Sequence, residues 1–162
     1  MTGLSPSAGA SRRFSSAGQA LVEFALVAPI FFLLLFGIIE GGRFILYYQT
    51  LNNATREGAR YAIVHGSNSF CPSGPMPPGK SAPAGCYDPS GAKVVQQVKD
   101  TAFGVLGSAV VVTPVWPDPP GLGNGRDADV TVRATYTYST LLPLVPLPPI
   151  TITAESRLVI NN

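Results

Sequence analysis

The chain has 162 residues, 46% of them apolar and 12% charged, with a formal net charge of +2 at neutral pH. That balance excludes a disordered chain, which needs low hydrophobicity and high charge, and a basic nucleic-acid binder, which needs a cationic face. Seventeen Gly and sixteen Pro, fourteen of the prolines from Pro72 onward, split the second half into short elements joined by rigid loops and exclude a large enzyme core.

The first element is a membrane segment. Leu21 to Ile39 read LVEFALVAPIFFLLLFGII, nineteen residues with one charge. A helix rising about 1.5 Å per residue needs about 20 such residues to cross a bilayer. A secretory signal would have a shorter apolar run and a small-x-small cleavage site, and Glu40-Gly41-Gly42-Arg43-Phe44 offers none. Arg12 and Arg13 before the span are balanced by Arg43 and Arg56 after it, so the positive-inside count is a tie. Two considerations break it: long C-terminal domains translocate largely regardless of charge, and Cys71 and Cys86 suit an oxidising compartment. The expected topology is a single-pass cell-membrane protein with its N-terminus cytoplasmic and residues 40–162 extracytoplasmic. The outer part has nine Lys/Arg and eight Asp/Glu, so charge selects no partner there.

Glu23 stands inside the apolar run, where a carboxylate costs about 2.5–3.5 kcal/mol at the bilayer centre and less near the interface. One reading makes it an interfacial residue that reaches the cytoplasmic headgroups. The other starts from Gly18-Gln19-Ala20-Leu21-Val22-Glu23-Phe24, which resembles the processing site of type IV prepilins, with a glycine, a cut and a glutamate fifth in the mature chain. Glycine lets an extended backbone enter a protease without a side chain to accommodate. Cleavage between Gly18 and Gln19 would remove residues 1–18 as a cytoplasmic leader and create an ammonium group near Glu23. The carboxylate of one subunit could then pair with the amine of the next and fix their register.

From Glu40 to Val64 there is no proline, and the residues sort by helical angle. Gln49, Asn53, Arg56 and Arg60 share one face; Tyr47, Leu51, Ala54, Gly58, Tyr61 and Ala62 share the other as the candidate packing face. Residues 19–64 are expected to form a transmembrane helix and stem about 70 Å long, loosened at Pro29 by its missing N–H. The run from Gly18 to Ile45, followed by Asn52-Asn53-Ala54-Thr55-Arg56-Glu57-Gly58-Ala59-Arg60-Tyr61-Ala62, resembles the TadE-like family of minor pseudopilins of tight-adherence (Tad) pili. The resemblance carries Gly18, Glu23 and Phe24 onto the processing and assembly motif. It implies a subunit cut by a prepilin peptidase that contributes to pilus assembly, adhesion and surface colonisation. Its implied partners are that peptidase, other pilins, membrane proteins of the Tad assembly machine and the lipid bilayer, with incorporation into the pilus itself. Residues 66–128 show no family pattern, and the string from Arg56 to Arg60 carries no mechanism at this level.

Residues 65–89 form a Pro/Gly-rich loop with Cys71 and Cys86 near its ends. Outside the cytoplasm a disulfide is favoured, closing about 15 residues for about 3 kcal/mol. A metal would need more ligands, and His65 is the only histidine. Residues 90–162 form the outer domain. Ser90 is expected to cap a helix through about Leu106, with Val94, Val95, Val98, Ala102 and Val105 on one side and Gly107 as its stop. Strands are predicted at Ala109–Val115, Asp129–Tyr138 and Ile150–Ile160, the last two alternating apolar with Thr-rich polar positions. The fold class is α+β and pilin-like: a long N-terminal helix packed on a small antiparallel sheet with one short helix.

Asp118 to Asp129, DPPGLGNGRDAD, lacks the spacing of a calcium loop and reads as a hairpin loop turning at Asn124-Gly125. Ser139–Pro149 is apolar and proline-rich, which suits a packed or partner-facing segment and not a central strand. No phosphate-binding glycine loop or Ser-His-Asp set is present, so no enzyme, cofactor or metal centre is expected. A single-pass anchored extracytoplasmic ligand-binding domain remains the alternative to the pilus subunit, and a membrane-tethered enzyme is the third reading.

Overall fold

A computed structural model describes residues 13–82, 85–117, 121–141 and 148–161, with side chains from residue 18 onward. The chain divides into two compact units, Met1–Gly41 and Gly42–Asn162. Helix α1, Arg13–Val64, runs through the boundary. Its apolar part satisfies every interior backbone group within the helix, as a segment in hydrocarbon requires, apart from the Ala25 carbonyl that Pro29 cannot serve. The helix is nevertheless continuous through Pro29. From Leu21 to Ile39 the large apolar side chains are exposed, Leu33 to 75% and Ile30 to 71%. A surface that apolar would be expelled by water, and lipid is the solvent it fits.

The second unit holds the rest of α1, helix α2 (Ala92–Leu106), and strands β1 (Val111–Val115), β2 (Asp129–Tyr138) and β3 (Ile150–Val159). The strands form an antiparallel sheet in the order β1-β2-β3. Val111 lies opposite Thr135, and β2 pairs along its whole length with β3, from Asp129 opposite Val159 to Tyr138 opposite Ile150. With a side-chain period of two, this register puts Val130, Val132, Ala134, Ile152 and Ala154 on one buried face. Thr131, Arg133, Glu155 and Arg157 fall on the other, where Arg133 pairs with Glu155 at 2.9 Å and Arg157 pairs with Asp129. The fold is α+β with the order and strand pattern the sequence predicts.

Leu51, Ala54, Ala59 and Ala62 of α1 are buried with Val94, Val98, Ala102 and Leu106 of α2 in one core with the sheet. Alanines on α1 let the helices approach, and Gly58 sets the limit. A Cβ there would lie 2.3 Å from Val98 Cγ2, so only glycine fits this contact. Gly58 therefore gives the Arg56–Arg60 string a packing role.

Three local expectations are corrected. The first strand starts at Val111, not Ala109, because Val110 turns inward to only 2% exposure before pairing with β2 begins. Ser90 is not the cap of α2: the N-cap is Gly91 in a left-handed conformation, φ 72°, with no side-chain bond of its own. Asp88, three residues further back, accepts the Lys93 N–H at 2.8 Å and does the capping. The connection between antiparallel β1 and β2 is a hairpin loop, but its turn is centred on Gly123-Asn124, one residue before the expected pair, with the Gly125 N–H donating to the Leu122 carbonyl at 2.7 Å. Asn124 is fully buried and bonded to the disulfide loop. The Ser139–Pro149 segment lies largely outside the described residues, which stop at Leu141 and resume at Pro148.

Candidate functional site

The N-terminal site is a stretch of one helix. Gly18, Gln19, Glu23 and Phe24 all lie on α1 and are exposed. Gln19 and Glu23 are four residues apart, hence on the same face and about 6 Å apart along the axis. Among the described residues Glu23 makes no ion pair, and Leu21, Val22, Phe24, Leu26 and Val27 around it are all more than half exposed. Among the described residues its surroundings are apolar and its charge has no partner.

Gly18 has no structural need to be glycine. It lies inside the helix, and a Cβ there meets nothing within 4 Å. Gly58 contrasts with it, being a glycine the packing demands. The Gly18–Gln19 peptide is helical, so an extended backbone at this point requires unwinding of the turn. Glycine lowers the cost of that unwinding by roughly 1 kcal/mol relative to alanine.

The stem residues occupy two faces. Leu51, Ala54, Gly58 and Ala62 are buried, and Tyr47 and Tyr61 are partly buried, while Gln49, Asn53, Arg56 and Arg60 are exposed. Tyr47 meets Tyr136 and Tyr138 edge to face at 5.6 and 5.5 Å. Tyr61 stacks on His65 at 3.9 Å, and His65 Nδ1 lies 2.9 Å from the Tyr61 carbonyl oxygen. Burial, with the Asp88 charge adding to it, pushes the Tyr61 hydroxyl above its ordinary pKa.

Cys71 and Cys86 are joined by a disulfide with 5.2 Å between their Cα atoms. Next to it is a polar knot that the sequence does not announce. Ser73 donates from its hydroxyl to Asp88 Oδ2 at 2.9 Å and from its N–H to the His65 carbonyl at 2.8 Å. Asn124 donates from Nδ2 to the Ser73 carbonyl at 3.0 Å and from its N–H to Pro75 at 2.6 Å, and its carbonyl accepts from Ser67 at 2.9 Å. The knot thus ties the end of α1, the disulfide loop, the start of α2 and the β1–β2 connection together. Trp116 lies between two glycines with positive φ: a Cβ on Gly74 would meet its ring at 2.4 Å and one on Gly91 at 2.6 Å.

Burial pushes the Asp88 carboxyl up, but bonds from Lys93 N–H, the Ser73 hydroxyl, Ala92 N–H and the Ser90 hydroxyl outweigh it and hold the group below its ordinary value of 3.8. A lowered folded pKa stabilises the fold above the unfolded value, and that contribution is lost as pH falls through the folded value. Asp88→Asn is therefore expected to lower stability at pH 7 by about 1 kcal/mol, the usual worth of a cap. It should also flatten the acid limb of stability below about pH 4, which denaturant melts at several pH values would show.

Among the described residues no three His, Cys, Asp or Glu side chains gather as a metal centre. What the chain offers chemically is a carboxylate near the start of a long apolar helix, and a second unit tied by a disulfide. No curated protein and no solved structure matches the chain. Residues 18–60 match the family model described as TadE-like protein, so the stretch that bears Gly18, Glu23, the apolar run and Gly58 is a TadE-like segment.

Proposed function

We propose that this chain is a minor pseudopilin of a Tad-type pilus, cut after Gly18 by a prepilin peptidase and held in the membrane by the helix that follows. The TadE-like stretch at residues 18–60 supports a Tad pilus-associated protein of a structural kind, and the long apolar helix supports a membrane anchor. The observation that carries the finer reading is the coincidence of three features on one helix: a glycine the fold does not need, a carboxylate five positions on, and an uninterrupted apolar surface. In this reading Phe24 and its apolar neighbours bind lipid or adjacent pilins, and the outer unit contributes to adhesion and surface colonisation beside the Tad assembly proteins.

Cleavage between Gly18 and Gln19 would place an ammonium group one helical turn from Glu23. Pairing of that amine with the Glu23 carboxylate of a neighbouring subunit removes the cost of a lone charge in hydrocarbon and is possible in one axial register only. The mature chain is expected to begin at Gln19. Intact mass of membrane-extracted protein from cells with an active prepilin peptidase checks this, and retention of residues 1–18 would refute it.

Glu23→Gln is expected to insert into the membrane as well as the parent does, since a charge has been removed. Its incorporation beside other pilins should fall at least several-fold. The mutant's N-terminus has to be mapped first, because an uncut leader would produce the same defect. Normal cleavage with parental pilus abundance would make Glu23 an interfacial residue and nothing more.

A further inference from the structure

Asn124-Gly125 is a reactive pair as well as part of a turn. A glycine nitrogen has no neighbouring Cβ to shield it, and once deprotonated it can attack Cγ of the preceding asparagine amide. The new N–Cγ bond forms as the Cγ–Nδ2 bond breaks, and the amide nitrogen leaves as ammonia with the glycine proton. Water then opens the resulting imide at either carbonyl. The product is aspartate, or isoaspartate with one more methylene in its backbone.

The Gly42–Asn162 unit opposes every step of that reaction at this pair. The Gly125 N–H is committed to the Leu122 carbonyl at 2.7 Å. Gly123, with φ 51°, takes the first central position of the turn and Asn124 the second, where the standard hydrogen-bonded turns have ψ of about 0°. That backbone aims the Gly125 nitrogen at the Leu122 oxygen and away from the Asn124 side chain. Asn124 Nδ2, the leaving group, donates to the Ser73 carbonyl at 3.0 Å. Asn124 is fully buried, which withholds the base and the water that the two steps need.

All of this protection comes from one neighbouring segment. The partners of Asn124 are the Ser67 N–H and the Ser73 and Pro75 carbonyls, which lie just before or inside the loop closed by Cys71 and Cys86. The same loop covers the turn: a Cβ on Gly123 would lie 2.2 Å from the Pro75 oxygen, and one on Gly125 3.1 Å from Pro77 Cγ. If the loop lifts, Asn124 loses its partners and its cover together.

We propose that Asn124 is a deamidation site gated by the Cys71–Cys86 bridge, inert while the bridge holds the loop on the turn and reactive once the loop lifts. The change runs one way. A carboxylate at position 124 has no N–H for the Ser73 carbonyl, sets two acceptors against each other and brings a charge into a site closed to water. A chain that stays open long enough to deamidate therefore cannot close the loop again.

The test uses the full chain in detergent at mildly alkaline pH, with and without a thiol reductant. A synthetic peptide spanning Gly121–Ala128 reports the unprotected rate. Peptide mass spectrometry and labelling by isoaspartyl methyltransferase follow the product at position 124. The oxidised chain is expected to deamidate at least several-fold more slowly than the peptide. Reduction, or Cys71→Ser with Cys86→Ser, should bring the rate close to that of the peptide while amide exchange across β2 and β3 stays slow. After reoxidation, the deamidated chain should keep fast exchange at Gly74 and Asp88, and Asn124→Asp with its bridge closed from the outset should match it.

A peptide-like rate in the oxidised chain overturns the protection, and an unchanged slow rate in the reduced chain overturns the gate. Reactivity that appears only with fast exchange across β2 and β3 reports global unfolding and also overturns the loop as the gate. Parental exchange at Gly74 and Asp88 in the reoxidised deamidated chain overturns the one-way step.

Discussion

Gly58→Val in the full-length chain is expected to abolish cooperative folding of the Gly42–Asn162 unit, and Gly58→Ala to cost about 1–3 kcal/mol. The reason is the 2.3 Å separation between a Cβ at position 58 and Val98 Cγ2, with Val132 Cγ1 at 3.5 Å and Val94 Cγ1 at 3.7 Å behind it. Val98 cannot swing away, because a β-branched side chain in a helix has essentially one rotamer. Adding a methyl group to a helix interior should by itself stabilise by up to about 1 kcal/mol, so a loss here measures the clash against an opposing gain. Gly104 supplies the contrast: it lies in α2, a Cβ there meets nothing within 4 Å, and Gly104→Ala should stabilise by about 0.5–1 kcal/mol. Denaturant melts in detergent, followed by fluorescence of the single tryptophan, Trp116, report both. Val98→Ala added to Gly58→Ala should recover part of the loss. If Gly58→Ala is as stable as Gly104→Ala, the close approach of the two helices is wrong.

Removal of the disulfide should have an effect of similar size by a different route. The bridge spans a sequence separation of 15, and freeing that loop in the unfolded chain is worth about 3 kcal/mol. Cys71→Ser with Cys86→Ser is expected to lower the melting temperature on the order of 10 °C. Reductant added to the parent should give the same curve. The polar knot flanks the bridge, with Ser73 and Asp88, each two residues after a bridged cysteine, forming an isolated parallel pairing beside it, so the knot should loosen first. Faster amide exchange at Gly74 and Asp88, whose N–H groups donate to Asp88 and Pro72 carbonyls at 2.7 and 3.0 Å, would show it. An unchanged melting temperature in the double variant would mean that the knot alone holds the loop.

What the sequence disclosed and what it hid divide along sequence separation. Leu21–Ile39 announces itself by hydropathy, a property of adjacent residues. The bounds of β2 follow from a period of two between a charged loop and a proline-rich one, and the buried face of α2 follows from its helical period. Asn-Gly is a local turn signal, and it places the turn to within one residue, but it says nothing of the burial of Asn124. Its partner Ser73 is 51 positions away, and nothing near Asn124 in the chain reveals that carbonyl. Gly58 looked like one small residue among several on the stem, and the side chain that demands it lies forty positions on. Ser90 was a reasonable local cap, yet Asp88 can accept from Lys93 and two serines together, which one hydroxyl could not do. The TadE-like stretch at residues 18–60 was legible for the opposite reason: its pattern is a contiguous string that no distant contact defines.

The last described residues fix when this molecule can fold. Ile160 is fully buried, its N–H donates to the Ala128 carbonyl at 2.8 Å, and its carbonyl accepts from Asp127 at 2.8 Å. Leu51, in the same core, is more than a hundred positions earlier. If the chain crosses the membrane helix first, the side of the stem that carries Leu51, Ala54 and Gly58 emerges long before β3 exists to complete its cover. Contacts of such long range form slowly, since the intervening loop must close before they can contribute. The core of the second unit is therefore closed only when β3 pairs with β2.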